Sequence, residues 1–376
     1  MNKTTSNQVF LFLFITLFFS VSIYSNDMEH QHDMPMSEME HHDMNESSMN
    51  HEMHNAAHLV PIGIMGGEVH MKGHFMMSIK QMRMSMEGNS NDDKSLSDSE
   101  IINLPNPYTM MNMPSKLSVV PQEMEMNMTM IGGMYGVSDR QTLMFMGMYI
   151  EKDMNLLTYS PMMSRTLLGS FSSKTQGLSS VSISSLLKIK ENDGFKMHAQ
   201  IGIEKSVGEN DDYGEVLTPM NMKKEIILPY SMQIGDQSTS LLMALTFTKD
   251  IEDWSYGSQL KIKNTINKKD WNHGNSFNFD GWINKGISQS MAVSFRLSYS
   301  QINSLEGRDI RVMAPVQTAN PENYGGEIYS ASLGFNKSLK QGNILGFELT
   351  IPFKQKLNGP QMENDRTITL GYKKSF

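Results

Sequence analysis

From about residue 70 to its end the chain alternates apolar and polar residues with a period of two, and past the first twenty-five residues no apolar run is long enough to cross a bilayer as a helix. The clearest case is LSSVSISSLLKIK from Leu178, the turn Glu191-Asn192-Asp193-Gly194, then FKMHAQIGIEK. One face carries Val181, Ile183, Leu187, Ile189, Phe195, Met197, Ala199, Ile201 and Ile203; the other carries Ser180, Ser182, Ser184, Lys188, Lys190, Lys196, His198, Gln200 and Glu204. Asp-Gly between two such runs is a strong hairpin signal. The pattern returns at 241–247, 254–262, 277–283, 291–299, 329–335, 345–353 and 368–376, and methionine-rich strands are expected near 74–86, 123–135 and 141–151. That makes about twelve strands, an even number as single-chain bacterial barrels require.

The connections alternate as well. Short ones are expected near 136–140 and 191–194, long ones near 87–122, 152–176, 205–237, 265–274, 303–325 and 354–365. Short periplasmic turns opposite long external loops are the habit of membrane barrels, whereas a soluble β-sandwich needs no such alternation. The fold class expected is therefore all-β: a transmembrane antiparallel up-and-down β-barrel over 59–376. The aromatic end Phe376, with Tyr372, Leu370 and Ile368 on its face, fits that plan, and Lys374 can reach water at a rim.

Residues 1–25 have the plan of a secretory signal: Lys3, an apolar core from Val9 to Phe19, then small and polar residues with cleavage expected near Ser22 or Ser25. A permanent anchor helix is the competing reading, but the core is shorter than the ~20 residues a span needs. Hydrophobic residues make up 39% of the chain and the mean hydropathy is -0.37, which excludes a helical membrane protein but not a barrel, where only alternate residues meet lipid. A net charge of -8 without a basic block argues against a nucleic-acid partner. With no cysteine, disulfides and thiolate metal sites are excluded.

Residues 26–58 contain hardly an apolar side chain other than methionine and are expected to form a disordered periplasmic tail. His30, His32, His41, His42, His51 and His54 alternate there with Met34, Met36, Met39, Met44, Met49 and Met53; Met28 and His58 flank them. Thioethers select Cu(I) and Ag(I), and imidazoles also accept Cu(II), so the tail is expected to bind these ions. The plainer reading is a solvated linker whose methionines absorb oxidants.

If the apolar phase faces lipid, the lumen is lined by Lys188, Lys190, Lys196, His198, Glu204, Gln259, Lys261, Lys263, Arg296 and Glu348. Such a wall suits water and small anions, unless its charges only satisfy one another in a plugged bore. Met124, Met126, Met128, Met130 and Met144, Met146, Met148 form two ladders of one parity. The partner residues Glu125, Asn127 and Thr129 want the lumen, while Leu143, Phe145 and Tyr149 want lipid, and a slip of one residue reverses a strand. Both orientations stay open, with lipid cladding the simpler one. A catalytic site is not expected, because His198 is the only histidine well inside the expected strands and no nucleophile signature flanks it.

The stretches Val60–Asn89, Met128–Tyr149, Leu228–Leu242 and Leu357–Tyr372 resemble the outer-membrane proteins grouped as MetA-pathway phenol-degradation transporters. That resemblance implies a barrel that transports small solutes, aromatic ones included, in contact with outer-membrane lipid and assembled by the barrel-insertion machinery. The leader resembles that of copper-resistance outer-membrane barrels, though its repeats are less regular. Two functions are thus carried forward: a small-solute channel with a metal-binding tail, and a copper or silver tolerance protein whose barrel is mainly an anchor.

Overall fold

The computed structural model of the protein describes residues 55–108 and 113–376; the expected signal segment and tail residues 26–54 lie outside the described residues. Its frame is a closed antiparallel barrel of eleven strand elements: β1 (Phe75–Asp92), β2 (Val119–Ser138), β3 (Gln141–Tyr159), β4 (Leu167–Asn192), β5 (Phe195–Ser206), β6 (Thr239–Ile251), β7 (Trp254–Asn267), β8 (Ser276–Ser288), β9 (Met291–Ile302), β10 (Gly326–Ser338) and β11 (Asn343–Ser375). Neighbours in sequence pair in up-and-down order, and β11 closes on β1. A two-residue strand, Lys94–Ser95, bonds to β1 outside the closure.

β11 crosses the wall twice. Its first limb pairs with β10, from Ser338 against Ile344 to Gly326 against Leu357; its second pairs with β1, from Ser90 against Gln361 to Met76 against Ser375. Both ends of β11 therefore lie at one rim, where the Ser375 amide donates to the Gly342 carbonyl at 3.0 Å. Counted as crossings, the wall has twelve, as the alternation implied.

The outward face is a belt of Ile79, Ile131, Phe145, Ile183, Ile201, Leu297, Leu333, Phe347 and Leu370, all exposed. At its long-loop edge lie the neighbouring rings of Tyr299, Tyr329 and Phe353, and at its short-turn edge Trp254 and Tyr256, as interfacial girdles do. No described helix is long and apolar enough to cross a membrane, which does not bear on a barrel.

On one side the wall rises past the belt. β1 to β4 run 18, 20, 19 and 26 residues, well beyond the 9–11 or so that a spanning strand requires. There the outward residues pair in solvent: Arg83 with Glu125, Thr129 with Gln81 at 2.6 Å, Lys174 with Asp153 at 2.6 Å. The long loop expected at 152–176 is thus corrected to strand on both sides of a short link at 160–166. Its apolar alternation fades because no lipid faces it, not because the strand stops.

The remaining long loops pack together at that end. Tyr230, Trp271, Leu305, Val312, Val316 and Ala319 form one buried cluster with Met124 and Met154 from the wall, and Tyr230 meets Trp271 edge-on at 4.9 Å.

Candidate functional site: a plugged lumen with a methionine wall

The described chain does not begin as a strand. Residues 55–70 run inside the short-turn end of the barrel, opening with a single helical turn, Ala56–His58, whose two alanines are wholly buried, and residues 71–74 come out at the rim beside Gly136 and Asp139. The expected tail boundary at residue 58 thus falls on a lumenal segment, and strand begins at Phe75, where the first strand was expected near 74–86. VPIGIMGG at 60–67 lacks the period-two pattern, and its small and aliphatic residues fill space instead. Val60 and Ile64 pack on Trp282, while Ala56 and Leu59 pack on Ala292 and Ile344.

A segment without sheet partners must find other donors for its carbonyls. Wall side chains supply them. Asn284 donates to the carbonyls of Leu59 (2.7 Å) and Ala57 (3.2 Å), Lys80 to Ile64 (3.0 Å), Gln259 to Met65 (3.0 Å) and Asn336 to Val60 (3.4 Å); His198 Nε2 lies 2.9 Å from the Gly66 carbonyl. The approach is close: a Cβ on Gly63 would stand 2.1 Å from Glu348 Oε1, and one on Gly371 2.5 Å from Ile62.

The residues expected to line the lumen are placed as follows. His198 is buried against the plug. Arg296 joins Asp280 at 2.6 Å and Glu348, which is 1% exposed, in an ionic cluster under Gly63. Glu204 pairs with Lys263, and Lys261 follows Gln259 on the same inward file of β7. Lys188 pairs with Glu191 at 2.5 Å and Lys196 with Asp250 at 3.1 Å, both at the short-turn rim. Lys190 is a correction. A register shift separates it from Lys188 and sets it against Met197, and it is exposed, its Nζ 5.9 Å from the centre of the Phe195 ring. The expected metal ligands His30, His32, Met34, Met36, Met39, His41, His42, Met44, Met49, His51, Met53 and His54 lie outside the described residues.

The methionine ladders face inward. A tight turn at Asp139-Arg140 sets Met130 against Met148 and Met134 against Met144, two residues off the pairing of 130 with 146 that a longer turn would give. Met76, Met82, Met84 and Met86 of β1 lie in register with Met134, Met128, Met126 and Met124 of β2, and Met124 in turn faces Met154 of β3. Met76, Met124, Met130, Met134, Met144 and Met154 are buried, whereas Ile131, Tyr135, Phe145 and Tyr149 of the opposite parity are exposed. Lipid cladding is therefore excluded for these ladders. The apparent conflict over Glu125, Asn127 and Thr129 dissolves because they face outward above the belt, in water.

At the far end one loop folds into the bore. Lys152 donates to the carbonyls of Ser231 (2.9 Å) and Gln233 (2.6 Å), Thr175 to Met232 (2.7 Å) and Ser179 to Ile234 (2.8 Å). Its stem is pinned by Asp236, whose carboxylate accepts from the His273 ring (3.0 Å) and backbone amide (2.8 Å). Burial raises the Asp236 carboxyl, but the His273 contacts and the Ser238 amide outweigh it and hold the group far below the usual carboxylate range. Among the described residues no group of three or more His, Asp or Glu is placed to hold a metal.

With this geometry in view, the solved structures that match can be placed. An outer membrane channel from Pseudomonas putida F1 superposes with a TM-score of 0.53 at 13% identity, covering 83% of this chain and 98% of that one. The two share a fold. The β domain of a Bordetella autotransporter (TM-score 0.44, 8% identity, 81% and 100% covered) and a Pseudomonas aeruginosa FadL homologue (0.40, 10%, 80% and 90%) are more distant barrels. No protein-family model and no curated protein sequence matches the chain.

Proposed function

We propose that the chain is an outer-membrane channel for small solutes, closed at its short-turn, periplasmic end by residues 55–74, with the tail before it binding Cu(I), Ag(I) or Cu(II). The observation that carries this is the way the plug is held. Between Ala57 and His70 it is tied to the wall by side-chain hydrogen bonds, and its backbone bonds to the wall fall only at its ends, Ala56 to the Gln289 carbonyl and Gly73–His74 with Gly136, so its middle can leave without opening the barrel's ladders. A barrel serving only as an anchor has no use for a polar, thioether-lined interior behind a removable segment. The resemblance to phenol-degradation transporters supports a solute of that size, and the shared fold with a bacterial outer membrane channel supports the membrane.

The test is solute uptake by liposomes carrying the full chain. Because the intact chain is closed, the same uptake is measured on a chain lacking residues 55–74: passage of small neutral and anionic solutes that is lost above a size limit supports the channel, and liposomes of the deletion chain that stay as tight as empty ones overturn it. The tail is tested separately, by Cu(I) and Ag(I) titration of the mature protein against one lacking residues 26–54. Equal stoichiometry in both would remove the tail from the metal reading.

A further inference from the structure

Around residues 64–67 the plug has its acceptors engaged and its donors left over. Lys80, Gln259 and His198 engage the carbonyls of Ile64, Met65 and Gly66, whereas the amides of Met65, Gly66 and Gly67 have no hydrogen-bond partner among the described residues. These residues line a cavity of about 50 Å³ together with Ser78, Lys80 and Lys373 of the wall. We infer that this cavity binds a small monovalent anion of the chloride class, held between the seated plug and the wall. The inference goes beyond the solute-channel reading and stands whether or not the barrel conducts.

Three arguments carry it. The first is charge. Ser78 pairs with Lys373 and Lys80 with Gly371 across β1 and β11, so the two lysines are diagonal neighbours on the inward face. Both are buried, and the only carboxylate among the residues lining the cavity is Glu68, 3.9 Å from Lys373. Two positive charges against one negative leave one over, and a buried charge without a counter-ion is costly. The second is hydrogen bonding. Lys80 gives one N–H to the Ile64 carbonyl at 3.0 Å and one to the Met65 sulfur at 3.3 Å, which leaves a third; Lys373 and the Ser78 hydroxyl make no hydrogen bond among the described residues. Gly66 is left-handed (φ 62°), the conformation in which a turn sets successive amides toward one side in anion-binding nests. The third is size. One water needs roughly 10–15 Å³ and a cavity that binds benzene measures about 150 Å³, so this space admits a halide or a triatomic ion and excludes an aromatic carboxylate.

The donors come from both sides of the boundary. Lys80 and Lys373 stand on β1 and β11, while the free amides belong to the plug. An anion between them joins plug to wall and has its full set of donors only while the plug is seated. The same lining refuses a cation, because the nearby carbonyls are already engaged and the two ammonium groups repel it.

The experiment uses full-length mature protein labelled with methyl-13C-methionine, its methyl signals assigned by single Met→Leu exchanges, and titrated with sodium chloride or sodium bromide at an ionic strength held constant with sodium gluconate. Saturable shifts are expected at Met65, Met76, Met130 and Met134, with different end points for the two halides. Lys373→Met leaves Lys80 and Glu68 to cancel and should weaken binding by roughly tenfold or more. Glu68→Gln keeps an acceptor for the Val60 amide, raises the excess to two charges and should tighten binding by about tenfold. The absence of saturable shifts at these methyls, as a cavity filled by water alone would give, overturns the proposal, and so does a Glu68→Gln chain that binds chloride no more tightly than the wild type. Should the variants fail to fold, the wild-type spectrum decides: halide-dependent shifts confined to methionines outside the cavity also overturn it. Solute uptake is measured in parallel on the chain lacking residues 55–74, so halide binding by the intact chain with no uptake by the deletion chain refutes the channel and leaves the site standing.

Discussion

Replacing one plug anchor should open the channel by a calculable amount. Asn284→Leu removes the donors to Leu59 and Ala57, Gln259→Leu the donor to Met65, and His198→Leu the partner of Gly66. Asn284→Leu leaves two carbonyls without their donor and each of the others leaves one, a loss of about 1–3 kcal/mol per carbonyl where water cannot replace it. At ~1.4 kcal/mol the equilibrium between seated and displaced plug shifts about tenfold. The three side chains sit on β8, β7 and β5, so two substitutions together should shift it by roughly a hundredfold if their effects add. Single-channel recording in planar bilayers measures this as open probability, with deletion of residues 55–74 setting the upper limit. Rare openings in the intact chain, more frequent in each single variant and most in the double, are expected. If the deletion conducts no better than the intact chain, the plug does not close the pore; if it conducts but the anchor variants do not move toward it, these hydrogen bonds do not hold the plug.

Gly63→Val should unseat the plug by collision, since its Cβ alone would lie 2.1 Å from Glu348, and should raise protease access to residues 55–74 without altering the barrel's strand signature in circular dichroism. Arg296→Met leaves Asp280 and the buried Glu348 uncompensated and should cost about 3–5 kcal/mol, read as a lower unfolding midpoint in urea, whereas replacing all three charges by neutral residues should recover most of it. Asp236 has a folded pKa below its ordinary value of 3.8, so its contribution is fully present above about pH 4 and is lost as the pH falls toward the folded value. Asp236→Asn should therefore expose the loop at 228–236 to protease at pH 7, with the difference from wild type shrinking as acid is added; a difference independent of pH would refute this. Leu333→Lys, in the belt, should reduce folding into vesicles by about 2–4 kcal/mol if that position lies near the bilayer midplane, while Asn127→Lys, on the same outer surface but above the belt, should cost little.

The barrel was legible because half of each crossing meets lipid, and that constraint prints an alternation that needs no knowledge of partners. It failed where lipid ends. Residues 152–159 and 167–176 are strand with water outside, so their outward residues include Asp153, Asn155, Lys174 and Gln176, and the period-two signal fades there. Lys190 failed for another reason: one shifted residue before a turn moves a side chain off its file, and composition carries no mark of it.

The plug and the methionine wall were harder, for linked reasons. Residues 60–67 are apolar without alternating, because a segment inside a barrel is buried on all sides, and nothing in them marks a plug. Their contacts are to Gln259, Asn284 and Asn336, which lie 194, 225 and 276 residues along the sequence from the plug residues they bond, and no local pattern joins them. Methionine orientation then depended on a turn length that sequence left uncertain by a few residues, and on assuming that polar outward residues must be lumenal. Once the strands are seen to outrun the bilayer, that assumption falls and the parity of Ile131, Phe145 and Tyr149 alone decides: thioethers inside, lipid-facing groups outside. The same step explains why the upper wall can be rich in methionine on one face and charge on the other. Its two solvents are a closed lumen and open water, and neither calls for branched aliphatic side chains.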